Sequence, residues 1–131
     1  MTHSIAETSR RTGLSIDTLR YYERIGLVDP PARDSAGRRA YSDTDLSWLG
    51  FLTKLRTTGM PIRTMRSYAD LCRQPVGTSA RRRQILIDHR TDVRTRIAEL
   101  TECISVLDFK IDNYAKLERA EQATSSQEAS A

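Results

Sequence analysis

Thr12-Gly13-Leu14-Ser15-Ile16-Asp17-Thr18-Leu19-Arg20-Tyr21-Tyr22-Glu23-Arg24-Ile25-Gly26-Leu27 is the stretch that decides the fold. Ser15 is a residue type that caps helix N-termini, and Asp17 stands where the helix dipole favours a negative charge. Gly26 is a natural stop. The spacing therefore predicts a helix over about Ile16 to Ile25, with Ile16, Leu19, Tyr22 and Ile25 turned inward. Arg20 and Arg24 are four apart and share the outer face beside Tyr21. Upstream, Ser4-x-x-Glu7 has the form of a capping box, opening a short helix that stops at Gly13. Two short helices across a glycine turn make helix-turn-helix spacing. On its own, the outer face of the second helix reads equally well as a DNA-reading surface or as a solvated one.

The chain outside this stretch shifts that balance. Pro30 and Pro31 forbid helix. The polar segment Arg33 to Tyr41, with Asp34-Ser35-Ala36-Gly37 at its middle, predicts a small β-hairpin, a wing. Arg33, Arg38 and Arg39 surround it and form a second basic cluster beside Arg20 and Arg24. Arginines on a wing can follow the DNA backbone or enter a narrow minor groove. Ser42-Asp43-Thr44-Asp45 signals another helix start. Trp48, Leu49, Leu52 and Leu55 follow at helical spacing and read as core. Gly59 ends that helix, Pro61 suits the first turn of the next, which runs to about Arg73, and Gln74-Pro75-Val76-Gly77 breaks the chain.

From Ser79 onward there is no glycine or proline. Leu86, Val93, Leu100, Leu107 and Tyr114 recur every seven residues, and Ile97, Ile104 and Ile111 form a second series offset by four. Steps of four and three define a coiled-coil seam, weakened near its start by Arg90. One helix cannot bury such a stripe alone, and no other long helix is predicted, so a second copy of the chain is the expected partner. The organisation expected is a winged helix-turn-helix domain over 1–73, a linker over 74–78, a dimerisation helix over 79–119 and a disordered Ser/Gln/Ala-rich tail over 120–131.

Composition narrows the function. The 131 residues carry a net charge of +4. All of the excess lies in residues 1–66, with eleven Lys/Arg against seven Asp/Glu, whereas residues 67–131 hold ten of each. A basic domain joined to a charge-balanced helix fits nucleic-acid binding plus association. Cys72 and Cys103 have no CxxC spacing, and His89 has Val93 where a second ligand at i+4 would stand, so neither a metal nor another cofactor is expected. Half-buried or buried inert thiols are the default for the two cysteines. No Gly-rich phosphate loop, paired carboxylates or Cys/His/Asp constellation supports an enzyme. No stretch has the length and apolarity of a membrane span or signal peptide, so a reducing cytoplasm is the expected setting.

Three motifs in order resemble the MerR family of transcription regulators: Leu19-Arg20-Tyr21-Tyr22-Glu23-Arg24-Ile25-Gly26-Leu27, then Arg38-Arg39-Ala40-Tyr41, then Leu55-Arg56-x-x-Gly59-Met60-Pro61-Ile62. The resemblance spans residues 4–119. It implies a mainly α fold, a winged helix-turn-helix domain followed by a long helix that forms an antiparallel coiled coil in a homodimer. It also implies DNA contacts from Arg20 and Tyr21 on the recognition helix, Arg38 and Arg39 on the wing, and Arg56, with Arg24 and Arg33 as further candidates from their positions. The implied target is a pseudo-palindromic operator inside a promoter, distorted so that RNA polymerase can use it. The chain departs from the metal-sensing branch, because no cysteine stands near Ser79 and none follows Cys103. It looks most similar to the short aldehyde- or thiol-responsive branch, but Lys54 stands where that branch carries its third-helix cysteine. A thiol switch at that position is excluded, and a small-molecule effector, if one exists, has no assigned chemistry. The rival reading is a coiled-coil interaction module whose basic domain does not read DNA sequence.

Overall fold

The computed structural model describes residues 1–130. A two-residue strand β1 (Thr2–His3) leads into α1 (Ile5–Thr12) and α2 (Ile16–Arg24). The caps are those the sequence proposes. Ser4 Oγ accepts the Glu7 N–H at 3.1 Å, and Ser15 Oγ accepts the Thr18 N–H at 3.0 Å. α2 closes through Gly26, whose φ of 78° is a left-handed conformation that L side chains resist. The Leu27 N–H then reaches back to the Tyr22 carbonyl at 2.9 Å, placing Leu27 fully in the core.

The wing is β2 (Ala32–Arg33) paired antiparallel with β3 (Arg39–Ser42). Its turn is held by Asp34, whose Oδ1 accepts the N–H groups of Ala36 and Arg38, each at 2.9 Å. β1 adds to the other edge of β3, giving the order β1-β3-β2. The sequence gives no sign of this third strand, because two residues ahead of a helix cap are too short to show alternation. His3 locks it in place, with Nε2 lying 2.6 Å from Asp43 Oδ1.

Ser42 ends β3 and caps α3 (Asp43–Thr57) in a full capping box with Asp45. α4 (Ile62–Arg73) follows the Gly59 turn and Pro61, and α5 runs from Ser79 to Ser130. Leu19, Tyr22, Leu27, Tyr41, Leu49, Leu52, Leu55, Met60, Met65 and Ala69 form one core drawn from α2, the wing, α3 and α4. Burying such side chains contributes roughly 1.5–3 kcal/mol each, and burial raises the Tyr22 and Tyr41 hydroxyls above the ordinary phenol range.

The chain divides into two compact units, residues 1–90 and 91–131. One expectation is corrected here. Residues 120–130 are helical rather than a disordered tail: the segment has no helix breaker and is rich in Ala, Glu and Gln, which favour helix. Residue 131 lies outside the described residues. Leu86, assigned to the seam by its heptad position, packs with Ile85 against the core of its own unit. Heptad spacing records that a face is apolar and leaves open which surface covers it.

Candidate nucleic-acid interface

The capped start of α2 and the Asp34 turn of the wing bring the basic residues together. A groove of about 550 Å³ is lined by Arg20 from α2 and by Arg33, Arg38 and Arg39 from the wing, with β1 along its side. Arg20 is exposed and makes no ion pair among the described residues. Arg38 is 80% exposed at its side chain and lies 3.6 Å from Asp34 Oδ2. Arg33 Nη1 donates to the Gly37 carbonyl at 3.2 Å, which stiffens the wing and leaves the side chain at the surface. The acid in the groove is already engaged: two backbone N–H groups bind Asp34, above all that of Arg38, and hold its carboxyl below the usual range.

Tyr21 is 40% exposed, and the Arg24 guanidinium sits over its ring at 5.4 Å. That cation–π contact fixes both groups on the outer face of α2. Arg56, on the last turn of α3, is exposed and close enough to Tyr22 to act electrostatically on its hydroxyl. Arg39 differs from the others. Its Nε donates to Glu23 Oε2 at 2.8 Å, with side chains only 23% and 15% exposed. This pair ties β3 to α2. The sequence holds both residues inside motifs, but their separation of sixteen positions gave no sign that they meet.

Arg63, Arg66 and Lys54 are further exposed or partly exposed cations on α3 and α4. Among the described residues no group of three His, Cys, Asp or Glu side chains is arranged to hold a metal, and no helix is long and apolar enough to cross a membrane. Two exposed arginines on a helix, flanked by an arginine-bearing wing, give a surface suited to phosphates and groove edges.

Residues 3–71 match the family described as MerR HTH family regulatory protein, and residues 46–108 match the one described as MerR, DNA binding. The chain belongs to the MerR family. It is a DNA-binding transcription regulator of the MerR type, and the family consists of regulators rather than enzymes. Among MerR relatives, the uncharacterized HTH-type transcriptional regulator YyaN of Bacillus subtilis is 33% identical, over 91% of this chain and 95% of that one. The HTH-type transcriptional regulator AdhR of the same organism is 37% identical over 66% of this chain and 62% of its own. The crystal structure of HiNmlR, described as a MerR family regulator lacking the sensor domain and bound to promoter DNA, superposes with a TM-score of 0.82 at 32% identity. That match covers 87% of this chain and 86% of the other.

Proposed function

We propose that two copies of this chain associate through antiparallel α5 helices and bind a pseudo-palindromic operator within a promoter, one half-site per copy. Arg20 and Tyr21 read or grip the groove from α2. Arg38 and Arg33 follow the backbone from the wing, and Arg24 and Arg56 add phosphate contacts. The observation that carries this is the groove shared by α2 and the wing, with Arg20, Arg33 and Arg38 on one surface and its acid held by the wing backbone. On α5, Ile97, Leu100, Ile104, Leu107, Ile111 and Tyr114 are each more than half exposed in a single chain, and Val93 is partly so, which supports a second copy as the cover. Such a dimer sets the half-site spacing. Distortion of the intervening DNA, favoured by contacts that only the bent form allows, then alters how RNA polymerase engages the promoter.

Footprinting on the promoter beside the protein's own gene tests this reading. A two-fold footprint over the promoter elements is expected. With roughly 6–10 phosphates neutralised, affinity should fall about 10³–10⁵-fold between roughly 50 and 200 mM salt. Association without any protected site would favour the interaction-module reading instead.

A further inference from the structure

A second concavity, of about 350 Å³, lies within residues 1–90 and shares no lining residue with the arginine groove. It sits where the loop after α2, the wing strand β3, the start of α3 and the end of α4 converge. Its walls are the Trp48 indole, the Tyr41 ring, Leu27, Leu49 and Ala69, and the half-buried Cys72 borders it. The volume falls in the range of roughly 300–1,000 Å³ usual for small-molecule sites.

The polar groups on its rim select the ligand's charge. Arg73 is the only cation among the lining residues, and all three of its guanidinium nitrogens are engaged. Nε donates to Asp29 at 3.0 Å, Nη1 to Asp70 at 2.8 Å and Nη2 to the Gly26 carbonyl at 2.7 Å. Two carboxylates, Asp29 and Asp70, thus balance the charge of Arg73, which makes it a poor anchor for an anionic ligand. Asp45 and Asp29 also line the cavity; Asp45 accepts the Ser42 N–H, while the Asp29 side chain is 79% exposed with capacity to accept more. The cavity is thus acid-rimmed in a basic protein, with one indole and one phenol for walls.

We propose that this cavity binds a compact aromatic molecule, neutral or carrying a cationic group that faces Asp29. The ring packs against Trp48 and Tyr41, where offset or edge-on contact adds to apolar burial. Because the cavity touches both the loop that follows α2 and the wing strand, an occupant that fits one arrangement of these elements better than another shifts the DNA-binding population. That consequence rests on the DNA-binding reading; the binding itself does not, and it is measured without DNA.

Trp48 is the only tryptophan, so the side-chain N–H of the ¹⁵N-labelled full chain gives one indole resonance from the cavity wall. The probes are 1-naphthylmethylamine as the cation, 1-naphthylmethanol as the neutral form and 1-naphthoate as the anion. Saturable shifts of the Trp48 resonance are expected for the first two, with the anion about tenfold or more weaker. Thr44→Phe, a change at an exposed lining position, should weaken binding about tenfold or more without changing the thermal midpoint. Cys72→Met, which extends a side chain into the same space, should do likewise. Saturating 1-naphthylmethanol should slow alkylation of Cys72 by iodoacetamide. The proposal is overturned by the absence of a saturable shift up to probe solubility, by an anion that binds best, or by binding indifferent to both substitutions. A Cys72 that reacts only after dilution to monomers would assign the cavity to a second copy's chain, and would overturn it too.

Discussion

Arg39 and Glu23 offer a direct way to separate a residue that touches DNA from one that positions those that do. Their contact is 2.8 Å long, and the side chains are 23% and 15% exposed, between a surface pair and a buried one. Surface pairs contribute about 0–1 kcal/mol, and hydrogen bonds to charged groups about 1.5–3 kcal/mol. A double-mutant cycle through Arg39→Met and Glu23→Gln should therefore give a coupling of about 1–2 kcal/mol. Arg39→Met alone should cost more, about 2–3 kcal/mol, because it leaves a mostly buried carboxylate without its partner. For a unit the size of residues 1–90, that corresponds to a fall in thermal midpoint of roughly 10–20 °C. The cycle is read by thermal and denaturant unfolding, and operator binding is titrated over a salt series. If Arg39 positions the wing, Arg39→Met weakens binding at every salt concentration and leaves the slope of log K against log salt unchanged. A slope reduced by about 0.9 per lost phosphate contact, with an unchanged thermal midpoint, would refute the reasoning and make Arg39 a phosphate ligand.

Arg20→Ala should behave in the opposite way: a shallower salt slope and weaker operator binding by gel shift, with stability within about 0.5 kcal/mol of the parent. Thr8 is fully buried on α1, and among the described residues its Oγ1 has no hydrogen-bond partner. Thr8→Val keeps the shape and removes the stranded oxygen, so denaturant unfolding should show a gain of about 1 kcal/mol; a loss would mean that the hydroxyl has an unseen partner. The hydrogen bond from His3 is the largest cause holding the Asp43 carboxyl below its ordinary value. Its contribution is present above the unfolded carboxylate range and disappears as pH falls through the lowered folded value. Asp43→Asn should accordingly flatten the acid limb of the stability–pH curve, and an unaltered limb would show that β1 is not held this way.

What could be read from the sequence was whatever local chemistry specifies. Ser4, Ser15 and Ser42 announce three helix starts because capping is decided within four residues. Gly26 and Gly37 announce turns because their φ values are 78° and 79°, where other residues are strained. The arginine groove was legible in part, since a recognition helix and a wing with basic residues suffice to propose one. The contacts that fix it were not. Glu23 with Arg39, His3 with Asp43, and Arg73 with Asp29 join residues sixteen, forty and forty-four positions apart. Such pairs depend on tertiary packing, and one sequence carries no periodic trace of them. The cavity beside Trp48 was hidden for the same reason. Trp48 reads as core by its spacing, and only the convergence of the loop after α2 with β3, α3 and α4 shows that one side of it remains open.

Leu86 and Arg90 show where local pattern stops being enough on α5. Both fall on the heptad seam. Leu86 packs into residues 1–90, whereas every apolar seam residue from Ile97 to Tyr114 is more than half exposed in the single chain. Arg90, exposed, is the last residue of the first unit and sits between these two regimes. A cation at a core seam position disfavours tight apolar packing there, so the stripe is divided chemically at the point where its covering surface changes. One continuous helix can thus belong to the DNA-binding unit at its start and present an uncovered face beyond Arg90. If a second copy covers that face, the seam starts beyond Arg90, where the apolar stripe is no longer held by residues 1–90.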